Sequence, residues 1–231
     1  MTGTLLNIAT VLIGGLLGLL FGARLPERVK QTVTAGLGLF TAAIGVKMFL
    51  ETENPLIVLG ALLVGGLLGE WWKIEEGMQA LGGWLQKRFA ARQESSRFVN
   101  GFLTTSLLFC VGPMTILGSI QDGLTGNYEL LAIKSVLDGF AALAFSSTLG
   151  VGVLFSTLVV LVYQGGISLL AAQLDRFVTA SMMAEMTAVG GVILIGIAVS
   201  SLLEIKKIRV GNFLPALALA PLLVWIAGLF G

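Results

Sequence analysis

The side chain with the most chemistry to offer is Asp138. It stands in the apolar run Ser135-Val136-Leu137-Asp138-Gly139-Phe140, where a carboxylate costs several kcal/mol unless it is paired, hydrated or neutralised. Lys134, four residues earlier, falls on the same face of a helix and can supply the opposite charge. Two readings follow: a Lys134–Asp138 pair near a membrane interface, or a carboxylate on a cation or proton path. Asn100 opens a second segment in the same way, Asn100-Gly101-Phe102 against Asp138-Gly139-Phe140. Small hydroxylated residues follow each opening: Thr104, Thr105 and Ser106 in one, Ser146, Ser147 and Thr148 in the other. Such oxygens can replace part of the hydration shell of a small ion, and they can equally glue helices together. Gln164, before Gly165-Gly166, and Glu185, after Met182-Met183, are further polar groups that can face the same cavity. Glu70 adjoins Trp71 and Trp72 and reads as interfacial, while Cys110 is a lone thiol without an activating neighbour and reads as packing.

Those residues need helices that cross a membrane. The chain has 231 residues, 56% hydrophobic and 12% charged, where a soluble domain carries about a quarter charged. Its apolar runs lack the alternation of barrel strands, so the fold class expected is all-α, a polytopic transmembrane bundle. Spans are expected at 4–22, 33–50, 55–72, 98–119, 131–149, 152–172, 180–203 and 212–230. Residues 1–231 then form a single transmembrane domain. The first run carries no basic residue ahead of it, so it reads as a retained helix rather than a cleaved signal. Two of the segments are expected to be broken. Gly112-Pro113 interrupts one, since Pro113 cannot donate to the carbonyl of Phe109. Gly150-Val151-Gly152 interrupts the other. Counted from Phe98 to Val111 and from Ser135 to Leu149, both helices fall short of the hydrocarbon thickness. Broken helices at membrane depth are frequent in transporter sites.

The basic residues fix an orientation. Arg24, Arg28, Lys30, Lys73, Lys87, Arg88, Arg92, Arg97, Lys206, Lys207 and Arg209 fall on one side; Lys47, Lys134 and Arg176 fall on the other. That bias puts both termini outside and the basic loops in the cytoplasm. The segment from Ile74 to Arg97 is too polar to span. Its Ile74, Met78, Leu81, Leu85 and Phe89 recur at helical spacing, as in a helix lying on the inner surface or a solvated connector. GGLLG occurs at Gly14–Gly18 and Gly65–Gly69 and lets helices approach closely, within the chain or between copies. The Asn100 and Asp138 segments, and a weaker match of residues 34–46 to 187–199, pair spans of opposite direction. Inverted repeats are therefore expected, with halves meeting at 98–152.

From Gly112-Pro113-Met114-Thr115, through Gln121-Asp122-Gly123-Leu124, to Lys134-Ser135-Val136-Leu137-Asp138, the chain resembles the bacterial YdfK/YqgA membrane proteins, which carry a domain of unknown function. The resemblance covers nearly the whole chain. It implies an integral inner-membrane protein and supplies no substrate or reaction. One departure is Asn127, where an acidic residue is expected in the family's loop, which weighs against an ion-binding role for that loop.

The function expected is transport or conduction of a small solute or cation near the broken helices, through Asp138, Asn100, Thr104, Ser146, Ser147, Gln164 and Glu185. The competing reading is a scaffold or lipid-binding protein whose polar residues serve packing. With no histidine and no nucleophile–base pair, catalysis is not expected. No cofactor and no nucleic-acid partner is expected either; membrane lipid is, and further copies of the chain can pack through the glycine-rich helices.

Overall fold

A computed structural model of the protein describes residues 1–23, 25–89, 95–174 and 178–230. Arg24, Arg92 and Arg176, used above to orient the chain, lie outside the described residues. The described chain is helical throughout: α1 (Thr2–Gly22), α2 (Glu27–Phe49), α3 (Pro55–Trp72), α4 (Ile74–Phe89), α5 (Ser95–Cys110), α6 (Pro113–Thr125), α7 (Glu129–Leu149), α8 (Gly152–Leu169), the single turn α9 (Ala171–Leu174), α10 (Ala180–Ile197) and α11 (Leu214–Phe230). A π-helical turn extends α10 to Leu202, and a short 3₁₀ turn, Val210–Phe213, leads into α11. Seven of these helices are long and apolar enough to cross a membrane, and α5 with α6 make an eighth span if the bent pair counts as one. This is an all-α polytopic membrane bundle.

The helices gather into two compact units. Unit 1 comprises Met1–Leu37 and Gln79–Arg176, and unit 2 comprises Gly38–Met78 and Phe177–Gly231. Glycines set the packing inside each. A Cβ on Gly14 would lie 2.0 Å from the carbonyl of Gly139, and one on Gly18 would lie 2.1 Å from the carbonyl of Leu143. Gly22 meets the Ser147 carbonyl in the same way and Gly3 meets the Leu131 side chain, so α1 and α7 run parallel along their whole length. In unit 2 the second GGLLG does the same work against another partner. A Cβ on Gly65 would lie 2.5 Å from the Ala216 nitrogen and one on Gly69 1.9 Å from the Asn212 carbonyl, which makes α3 and α11 antiparallel. Gly45 and Gly191 each approach the other's carbonyl and bring α2 against α10. Both GGLLG motifs are thus used within the chain, where missing side chains let backbones meet.

The break at Gly112 is real. Its φ of 135° is open to glycine and strained for other residues, and α5 and α6 meet there at 62°. The carbonyl of Phe109, deprived of a helical donor, accepts the Thr115 hydroxyl at 3.2 Å. The bent pair nevertheless crosses unit 1. Gly152, opening α8, packs on the carbonyl of Phe98 in α5, and Gly123, near the end of α6, packs on that of Ser168 near the end of α8. An α8 of 18 residues is about 27 Å long, so α5 and α6 together run its full length in the same direction. With the bent pair counted as one span, the candidate spans number up to eight.

The second expected break is corrected. The helix before Gly150 does not begin at Ser135 but at Glu129, and its 21 residues reach about 31 Å, enough to cross. Gly150, with φ 83° and ψ −159°, ends that complete span, and α8 starts two residues later at Gly152. The count from Ser135 to Leu149 was short because it left out the turns from Glu129 to Lys134. Lys134 is in fact buried within the unit, 6% exposed, and does not mark an interface.

A buried polar network as the candidate functional site

The residues of α1, α7 and α8 that carry hydrogen-bonding side chains converge inside unit 1. Asp138, nine residues into α7, lies about 14 Å along the helix from Glu129. Its Oδ2 accepts the Lys134 ammonium from the preceding turn and the Asn7 Nδ2 of α1 at 3.0 Å. The second Asn7 N–H goes to Gln164 Oε1 of α8 at 3.0 Å, and Gln164 Nε2 donates to Thr4 Oγ1 at 3.3 Å. This chain has one sense. Because the Asn7 amide gives both hydrogens to oxygens, its own Oδ1 is turned away, buried, with no donor. The Lys134 and Asp138 side chains are 8% and 12% exposed, so the charges face protein rather than lipid. Such a pair is retained at a desolvation cost that its mutual attraction offsets only in good geometry.

Hydroxyls extend the polar interior along the unit on both sides of this network. Thr105 donates to the carbonyl of Gly101, Ser135 to Leu131, Ser156 to Val153 and Thr157 to Leu154, each within its own helix. Self-contained bonds of this kind cost the helix little and keep an oxygen in the interior. Thr104 and Ser106 differ: both are 1% exposed and their hydroxyls have no partner. Asp122 Oδ1 and Ser168 Oγ, toward the end where α1 begins, share that condition. Together with Asn7 Oδ1, every unpaired buried polar side-chain atom among the described residues is an oxygen, and every one lies in unit 1.

The expected site residues divide accordingly. Asp138 and Gln164 are brought together, through Asn7. Thr104 is buried in the same unit and unpaired. Ser146 donates to the carbonyl of Gly15 at 2.8 Å and ties α7 to α1, and Ser147 donates to Ala144 at 2.7 Å within its helix. Asn100 is exposed, unlike Asp138, so the two do not share the environment that equivalent repeat positions would give them. Glu185 belongs to unit 2, where it is spent on structure. Its Oε2 accepts the Thr52 hydroxyl at 2.6 Å, and its Oε1 accepts the backbone N–H of Glu53 and Asn54 at 2.9 and 2.8 Å. It thereby pins the turn that starts α3, alongside the Asn54 cap on Leu56. Cys110 is a buried free thiol, as its apolar neighbours lead one to expect.

Two participants escaped the sequence reading. Asn7 is the only amide in Thr2–Gly22, and no charged group accompanies it there; an isolated amide inside an apolar span was the available signal. Asp122 drew notice only as part of a shared run, because the helix that carries it past residue 119 was not foreseen.

Comparison with known proteins covers the same ground as this architecture. A family model described as "Protein of unknown function (DUF554)" matches residues 2–225. The chain is similar to the uncharacterized protein YqgA of Escherichia coli (strain K12), with 35% identity over 222 residues and 94% of each chain covered. It is also similar to the uncharacterized membrane protein YdfK of Bacillus subtilis (strain 168), with 28% identity over 235 residues, 100% of this chain and 99% of the relative. No solved structure matches it.

Proposed function

The chain belongs to the DUF554 family, and from that premise we propose that it is a transporter or channel for a small solute or cation, whose path is the polar interior of unit 1. The observation that carries this reading is the Lys134–Asp138–Asn7–Gln164 network, enclosed among spans and ending in an unpaired Asn7 oxygen. A purely structural pair would close its hydrogen bonds on itself. This one leaves acceptors at several depths along one bundle, which is what a passing ion or solute needs in place of water. The bent α5–α6 crossing supports it, since helix breaks at membrane depth are tolerated where they face protein or a watery cavity. The Lys134 ammonium acts as a tethered cation that holds Asp138 when no solute is bound. The reading is transport and not catalysis. In this reading the protein lies in the bacterial inner membrane, as the family resemblance implies, and the bias of basic residues puts both termini outside, so that α1 and α7 start at the outer face.

Purified protein in liposomes tests it. Imposed gradients of monovalent cations should drive flux in the wild type. Asp138→Asn should fold, insert and lose that flux. Normal flux in Asp138→Asn, or none in the wild type under any gradient, would leave a scaffold or lipid-binding role as the better account.

A further inference from the structure

Asp122 stands apart from the Asp138 network and shares no hydrogen-bond partner with it. It lies in the last turn of α6, 4% exposed. Its Oδ2 accepts the Gly3 N–H at 3.1 Å and meets the Met1 amine at 2.9 Å, while Oδ1 is buried and unpaired. The neighbouring Gly123 packs directly on the backbone carbonyl of Ser168, whose own hydroxyl is also buried and unpaired. The end of α6 thus meets the start of α1 and the end of α8, and Asp122 and Ser168 each keep one buried side-chain oxygen without a partner.

The register below this point is informative. Gln164 is one helical turn before Ser168 on α8, and Asn7 is one turn after Gly3 on α1, each step about 6 Å along its helix. Asn7 and Gln164 are the residues bonded to each other in the Asp138 network. Ser168, and the Gly3 N–H that Asp122 of α6 accepts, therefore lie one turn nearer the α1-start face than that network.

We infer that Asp122 and Ser168 form an outer site for a singly charged cation, the step before Asp138. The donor set specifies the class. Its unpaired atoms are oxygens only, which suit hard cations. The Asp122 carboxylate already faces one positive charge, the Met1 amine at 2.9 Å, so the cation that takes the amine's place there carries a single charge rather than two. The inference rests on the transport reading for where the ion goes next, but occupancy of Asp122 is measurable without transport.

The test is thermal unfolding of the purified full-length protein in NaCl, KCl or NH₄Cl, titrated against N-methylglucamine chloride at constant ionic strength. At least one of the three salts should raise the wild-type midpoint saturably. Asp122→Asn should need about tenfold more of that salt, the loss expected of one charged ligand. Ser168→Ala should weaken the response by a smaller factor and carries the test if Asp122→Asn does not fold. Glu185→Gln, which alters only the turn cap in unit 2, should keep the response. No salt-specific stabilisation of the wild type, an unchanged titration in both outer variants, or a response lost only in Asp138→Asn would each overturn the inference. A wild type stabilised through Asp122 that shows no flux would sink the transport reading and leave the site.

Discussion

Unit 1 and unit 2 each bury a carboxylate among apolar helices and treat it in opposite ways. Glu185, in unit 2, receives two backbone N–H groups and a threonine hydroxyl, all belonging to the turn it holds. Asp138, in unit 1, receives a lysine and an asparagine side chain on one oxygen. Backbone donors cannot leave without unfolding the turn, whereas side-chain donors can rotate away. The first arrangement is a fixed cap and the second is exchangeable. The same contrast runs through the interiors. Unit 2 buries four polar residues among those described, Thr41, Glu185, Thr187 and Asn212; the other nineteen of twenty-three belong to unit 1. The two units are equally close-packed through glycine, so what separates them is the polar content of their cores and the oxygens left unpaired in one alone.

Substitutions at the two carboxylates should separate them most. Asp138→Leu leaves the Lys134 ammonium buried without its partner and should cost about 3–5 kcal/mol in SDS unfolding, with Lys134→Met added to it restoring most of the loss. Transport should be absent from both variants. Retained transport in the double variant would mean that Asp138 serves only to neutralise Lys134.

Glycine seams should rank next and should not distinguish the units. Gly14→Ala in unit 1 and Gly69→Ala in unit 2 place a methyl within 2.0 and 1.9 Å of a backbone carbonyl. Each should cost about 3 kcal/mol or more, since the obstacle is main chain and cannot rotate aside. Gly36→Ala, with nothing near its Cβ position, should be neutral or mildly stabilising. A tolerated Gly14→Ala beside an intolerant Gly69→Ala would show that unit 1 packs loosely.

Much of this architecture was legible beforehand, and the exceptions have physical causes. Spans, the break at Gly112-Pro113 and the close-packing use of GGLLG follow from apolar run length and from missing side chains, both local properties. The Asp138–Gln164 relation depends on Asn7, more than a hundred residues from either, and no spacing rule reports such a contact. Lys134 misled because a charged residue near the end of an apolar run normally marks water, while here helices of the same unit enclose it. Glu185 was grouped with Gln164, but it belongs to unit 2, because a polar residue in an apolar run does not say which bundle its helix joins.

Glu185→Gln should cost about 1–3 kcal/mol by weakening charge-assisted bonds to the α2–α3 turn, with flux per folded molecule unchanged. Abolished flux in a folded Glu185→Gln protein would erase the distinction between cap and site. The smallest effect belongs to the exposed Arg209–Glu70 pair, whose side chains are 58% and 55% accessible. A double-mutant cycle there should give a coupling under about 1 kcal/mol.

The central claim is that unit 1 is the path and unit 2 the frame, and cysteine accessibility reads it directly. With Cys110, the single native cysteine, replaced by alanine, cysteines introduced at Thr104 and Ser106 in unit 1 and at Thr41 and Thr187 in unit 2 report on four buried positions. Under a transmembrane cation gradient, a small cationic methanethiosulfonate reagent should modify the two unit 1 positions and leave the two unit 2 positions untouched. Modification of Thr41→Cys and Thr187→Cys with Thr104→Cys and Ser106→Cys protected would contradict the account.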